Sequence, residues 1–191
     1  MRIARLVTAA LAMFMLQGAA RAAHLWEDPE MWWSGLWTYE RDDTPKFSAD
    51  ELSVEFFGTY TAPEYGIDEL FQTDITKDGV WGGGAGLTYF LTREIGLGAD
   101  FGASEGGGAF INQVLGNIVL RLPWERASLA PYVMGGGGYS FDPVGEWVTH
   151  AGLGIEWRPN SATGIFIDGR YIWGDEGGDR LLLRAGLRLI L

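Results

Sequence analysis

From Glu51 to the last residue, apolar side chains recur at every second position. In the final segment Leu183, Ala185, Leu187, Leu189 and Leu191 share one face, and Arg184, Gly186 and Arg188 share the other. Before it, Ile165, Ile167, Tyr171 and Trp173 alternate with Asp168 and Arg170. Trp147, Ala151, Leu153, Ile155 and Trp157 oppose Glu146, His150, Gly152, Gly154 and Glu156. Ile95, Leu97, Ala99 and Phe101 oppose Glu94, Gly96, Gly98 and Asp100, and Trp81, Ala85, Leu87 and Tyr89 oppose glycines and Thr88. Leu52, Val54 and Phe56 alternate with Ser53 and Glu55. The pattern is weaker over 111–122 and 129–139 but keeps the same period. A helix would spread these residues around its axis, so the period predicts eight β-strands.

The predicted strands exceed the ~5–6 residues common in globular sheets. They match the ~9–11 that a tilted strand needs to cross a bilayer. Their connections alternate. Residues 91–94, 123–127 and 158–162 read as tight turns, whereas 61–79, 104–110, 140–144 and 174–179 are longer, glycine-rich or acidic. Short turns at one end and longer loops at the other is the asymmetry of outer-membrane barrels, whose short turns face the periplasm. The fold class that follows is all-β, an eight-stranded antiparallel up-and-down transmembrane β-barrel. Its even strand count returns the last strand beside the first and leaves no edge.

The polar face of the strands separates a barrel from a soluble sandwich. It is mostly glycine and small residues with sparse charges of both signs, and no lysine lies in any predicted strand. Such a face suits a crowded lumen. Glu55, Asp100, Glu156, Arg170, Arg184 and Arg188 are the expected members of a lumen ion network, each costly on a lipid face unless paired inside. Tyr60, Trp81, Tyr139, Trp147 and Trp173 fall at the loop ends of strands, and Tyr89, Trp124 and Trp157 at the turn ends. Two separated aromatic belts are what the two interfaces of a bilayer select.

Ahead of the barrel the chain changes character. Arg2 and Arg5, the apolar run Leu6–Leu16 and the small-x-small triplet Ala20-Arg21-Ala22 read as a secretory signal over residues 1–22. Residues 23–50 form a Trp-rich arm with Trp26, Trp32, Trp33 and Trp37, either a short interfacial helix or an aromatic cluster, and 51–191 form the barrel. The net charge is −11, and loss of the leader arginines would make the chain more acidic still. That surface repels phosphate backbones and argues against nucleic acid as a partner. The absence of cysteine excludes disulfides and thiolate metal sites.

The segments Gly82-Gly-Gly-Ala-Gly-Leu-Thr-Tyr-Phe90 and Gly152-Leu-Gly-Ile-Glu-Trp-Arg158, with the Leu-rich closing strand, resemble those of the small outer-membrane β-barrel family around the N-terminal barrel of outer membrane protein A. The resemblance implies an outer-membrane location with periplasmic termini. It also implies lipid, lipopolysaccharide and the barrel-assembly machinery as partners. One departure is the final residue: such barrels commonly end in an aromatic that the insertion machinery reads, and Leu191 is aliphatic.

Candidate chemistry is sparse. Some small outer-membrane barrels modify lipid A and need a nucleophile and a base. His150 is the one plausible base here. It is followed by Ala151 and Gly152, so the histidine–x–serine arrangement of deacylase barrels is missing. It reads instead as a lumen histidine hydrogen-bonded to neighbouring carboxylates. The acids Glu64, Asp68, Glu69, Asp74 and Asp78 lack the spacing of a calcium loop and read as a solvated loop. No cofactor is expected. The sequence therefore predicts a non-enzymatic barrel with a plugged lumen, acting through its loops in envelope integrity, adhesion or lipopolysaccharide contact. The alternatives are a lipid A-modifying enzyme and a soluble exported lipocalin-like binder.

Overall fold

The computed structural model describes residues 45–62, 79–104, 111–142 and 144–191. The predicted leader, the arm up to Thr44 and the acidic loop 64–78 lie outside them. Eight strands follow in order: β1 (Glu51–Ala62), β2 (Val80–Phe90), β3 (Ile95–Ser104), β4 (Gln113–Arg121), β5 (Leu129–Ser140), β6 (Glu146–Trp157), β7 (Thr163–Trp173) and β8 (Arg180–Ile190). Each pairs antiparallel with the next, and β1 also pairs with β8 to close the barrel. The ladder thereby satisfies the strand backbone within the sheet, which a bilayer demands. A short 3-10 helix, Glu125–Ala127, turns the chain between β4 and β5.

Glycine parity explains how so few strands close. A Cβ added at Gly136 or Gly138 would strike the carbonyl oxygen of Gly116 or Val114, and one at Gly186 the carbonyl oxygen of Phe56. These glycines point inward, where the sheet bends too sharply for a side chain. Outward glycines are open by comparison: at Gly58, Gly116 and Gly135 the nearest atom to a Cβ lies 3.5–4.0 Å away.

The inward face also holds larger groups than the small residues and sparse charges the pattern suggests. Phe57, Phe90, Phe166, Tyr132 and Met134 are buried in the lumen. Each stands in register beside an inward glycine: Phe57 beside Gly84 and Gly186, Phe90 beside Gly96, Phe166 beside Gly186, Tyr132 beside Gly154 and Met134 beside Gly152. The glycines that permit curvature also make room for the rings, the large-beside-small packing of a narrow barrel. Towards the loop end Leu115, Val148, Ile172 and Leu182 form a separate buried apolar layer.

Candidate functional site

Among the described residues, ten of the lumen's buried charges form two hydrogen-bonded groups. Midway along the barrel Arg184 forks onto Asp168, with Nε to Oδ1 at 2.9 Å and Nη2 to Oδ2 at 2.7 Å. Its Nη1 lies 3.1 Å from Asp100 Oδ1. Arg170 Nη1 donates to Asp100 Oδ2 at 2.5 Å and to Asn117 Oδ1 at 3.0 Å. Asn117 donates in turn to Asp100 at 2.7 Å, and the Tyr132 hydroxyl donates to Asp168 at 2.9 Å.

The second group lies towards the turn end. Arg188 donates to Glu55 Oε1 from Nη2 at 2.8 Å and from Nε at 3.1 Å, and bridges to Glu156. Thr88 Oγ1 completes Glu55 at 2.7 Å. Arg158 Nε reaches Glu156 at 2.5 Å, and its terminal nitrogens grip both oxygens of Glu51 at 2.5 and 2.8 Å. Arg121 holds the same carboxylate at 2.9 and 3.2 Å. Arg158 follows β6 directly. Burial works against its charge, but hydrogen bonds and attraction from Glu51 and Glu156 outweigh this and hold its pKa above the usual arginine value.

Five arginines (Arg121, Arg158, Arg170, Arg184, Arg188) thus face five carboxylates (Glu51, Glu55, Asp100, Glu156, Asp168). Neutrality and dense hydrogen bonding are what make buried charge tolerable. Phenylalanine rings cover the flat guanidinium faces: Arg121 lies 3.5 Å from the Phe90 centroid and Arg184 4.4 Å from that of Phe57.

All six residues expected in the network lie in it. Glu51, Arg121, Arg158 and Asp168 belong to it as well. Their signal was parity: Arg121 stands two residues after Val119, and Arg158 two after Glu156, on the inward face. Arg121 falls within the weakly alternating stretch 111–122, and Arg158 reads as the start of a turn. His150 corrects the expectation of carboxylate partners. It is buried in the lumen, and its Nε2 lies 3.2 Å from the Gly116 carbonyl oxygen while Nδ1 has no partner. The Gly116 carbonyl is within reach because Gly136, the inward β5 neighbour of His150, has no side chain, and a Cβ there would strike that oxygen. A lipid moving along the outer wall would not meet this imidazole.

Residues 45–50, the last of the expected arm, pack against the barrel. Phe47 is 1% exposed, its ring 4.5 Å from the Arg158 guanidinium and 5.2 Å from that of Arg121. Lys46 Nζ donates to Ser128 Oγ at 2.8 Å and to the carbonyls of Pro159 and Arg158 at 3.1 and 3.2 Å.

The outer wall contrasts with the lumen. Among the described residues, no outward strand position carries a charge, and the polar side-chain groups there are the hydroxyls of tyrosine, Thr149 and Thr163 and the indole N–H groups of tryptophan. Trp147 is 78% exposed, Leu153 69% and Trp81 66%. At the loop end Tyr60 stacks edge-on against Trp81 at 5.1 Å, Tyr139 against Trp147 at 5.4 Å and Tyr171 against Trp173 at 5.2 Å. Tyr89, Trp124 and Trp157 stand at the turn end, where the Tyr89 hydroxyl donates to Asp50 at 2.9 Å.

The closed eight-stranded antiparallel barrel is similar in fold to known structures. The crystal structure of the N-terminal β-barrel domain of Pseudomonas aeruginosa OprF is similar with a TM-score of 0.53 at 16% identity, covering 75% of this chain and 99% of that one. Ail, the attachment invasion locus protein of Yersinia pestis, is similar with a TM-score of 0.51 at 14% identity, covering 75% and 99%. The fold is that of the small outer-membrane barrels. At this identity the likeness is one of fold. No protein-family model matches the sequence, and no curated protein matches it.

Proposed function

We propose that the chain is an outer-membrane barrel with its short turns and termini in the periplasm. Its role is structural or adhesive, non-enzymatic, and exerted through the loops on lipopolysaccharide or a surface partner. The observation that carries the membrane reading is the uncharged outer wall. A soluble barrel has no reason to keep charge off every strand's outer face, whereas each arginine or lysine placed there would cost about 2–4 kcal/mol at the bilayer midplane. Aromatic rings at both ends of the wall support the same reading. The packed lumen favours a role in the loops over solute flow, since eight strands leave an interior that side chains fill.

The test is gel mobility of the protein from an outer-membrane fraction, unheated against boiled in detergent. A mobility shift on boiling, with no protein in the soluble fraction, is the expected outcome. One boiling-independent band in the soluble fraction refutes the membrane reading and favours a soluble binder. Binding of the folded barrel to lipopolysaccharide vesicles then tests the loops, by comparing the intact protein with one whose 64–78 loop is replaced by a short glycine–serine linker.

A further inference from the structure

The barrel wall does not cover the turn-end mouth of the lumen; six residues ahead of β1 do. Asp50 has φ 54°, left-handed and unusual for a residue with a side chain. That reversal sends residues 46–49 back across the mouth instead of away from it. Phe47 then fills the opening above Glu51, Arg121 and Arg158. Polar contacts tie the strap to the rim. Besides the three bonds of Lys46 Nζ, the Lys46 amide donates to Glu125 at 3.2 Å. Arg158 Nη1 donates to the Lys46 carbonyl at 2.5 Å, and Arg121 Nη2 to the Ser48 carbonyl at 3.0 Å.

These contacts are separable from the wall. Residues 45–50 belong to no strand. Glu51 satisfies both arginines through four hydrogen bonds of its own, and Phe90 already covers Arg121. Withdrawal of Phe47 would uncover no unpaired charge, and water would replace two backbone carbonyls. We infer that Lys46–Asp50 is a removable stopper. With Phe47 seated, the lumen is closed at the turn end. With it withdrawn, the Glu51–Arg121–Arg158 cluster becomes an open, charged vestibule.

The absence of cysteine allows a direct test on the full chain folded in detergent. Ser53→Cys places a thiol on the lumen face of β1, two residues beyond Glu51, and Ser140→Cys places one at the loop end; both serines are buried. A small cationic methanethiosulfonate reagent reports access to each. Ser53→Cys reacts slowly in the otherwise unchanged chain, at least tenfold faster with Phe47→Ala, and at an intermediate rate with Lys46→Ala, which frees the latch but keeps the ring. Ser140→Cys keeps its rate in both backgrounds, and the unheated gel mobility stays that of the folded barrel. Should Ser53→Cys fail to fold, Thr88→Cys, its neighbour in the β1–β2 register, is the second reporter. An unchanged rate with Phe47→Ala overturns the inference, because the charged layer itself would then be the seal. So does an unchanged rate with Lys46→Ala, or equal acceleration of Ser140→Cys, which would mean a loosened barrel. Detergent-folded protein makes the outcome independent of the membrane assignment.

Discussion

Replacing Arg188 with methionine isolates the worth of one buried charge. Arg188 is 2% exposed and donates three hydrogen bonds, two to Glu55 and one to Glu156. Its guanidinium carbon lies 5.4 Å from the Phe166 ring centroid and 5.9 Å from those of Phe90 and Tyr132. Methionine is apolar, of similar length and adaptable among those rings, so the loss is mainly electrostatic. Glu156 keeps Arg158, but Glu55 keeps only the Thr88 hydroxyl among the partners described above. Stranding a buried charge costs about 3–5 kcal/mol. Arg188→Met should therefore destabilise the barrel by about that amount. Glu55→Gln, added to it, should restore about 1–2 kcal/mol by neutralising the stranded carboxylate, a coupling typical of residues in contact. Urea titration of barrel refolded into phospholipid vesicles measures this, with tryptophan fluorescence and unheated gel mobility followed together. A single variant within about 1 kcal/mol of the parent, or a double variant no more stable than Arg188→Met, would refute the idea that Glu55 depends on Arg188.

Other perturbations probe the wall and the remaining chemistry. Leu153→Arg, at an exposed position well inside β6, should cost about 2–4 kcal/mol in vesicles, against at most about 0.5 kcal/mol on a watery surface; the smaller value in urea titration would count against lipid contact there. Gly136→Ala should sharply reduce the yield of folded barrel by unheated gel mobility, because its Cβ meets the Gly116 carbonyl. Gly135→Ala, one residue away but outward, should fold normally, and equal yields would show that inward crowding does not set the curvature. His150→Ala should leave the lipid A profile of cells unchanged by mass spectrometry; any lost modification would revive the enzymatic alternative.

How much of this was legible in the sequence follows from what a period of two encodes. Alternation assigns each residue a face, and it placed Glu55, Asp100, Glu156, Arg170, Arg184 and Arg188 on one face with no knowledge of register. It does not assign a height or a partner. Glu55 meets Arg188 across 133 residues because β1 and β8 close in that register, and Arg184 meets Asp168 through the β7–β8 register. Arg170 finds Asp100 from a strand that β3 does not pair with, across the lumen itself. Such contacts depend on stagger and closure, which local pattern does not carry.

The same limit explains the residues that were missed. Arg121 sits in a stretch where alternation is weak and Arg158 where it runs into a turn, so the local pattern gives neither a clear lumen assignment. Closure instead brings them both onto Glu51. Phe47 lies before the alternation starts, in the segment read as the Trp-rich arm, and only the reversal at Asp50 turns it into the mouth. The inward rings were hidden differently. Phe57, Phe90 and Phe166 each keep inward parity, but a glycine-rich face suggests a lumen of small side chains until register sets each ring beside its glycine. A narrow barrel needs both halves of that pairing. Glycine alone would leave the lumen hollow, and rings alone would hold the strands too far apart to close. The interior is thus built from complementary neighbours on adjacent strands, and that complementarity enters the sequence as residues scattered along it.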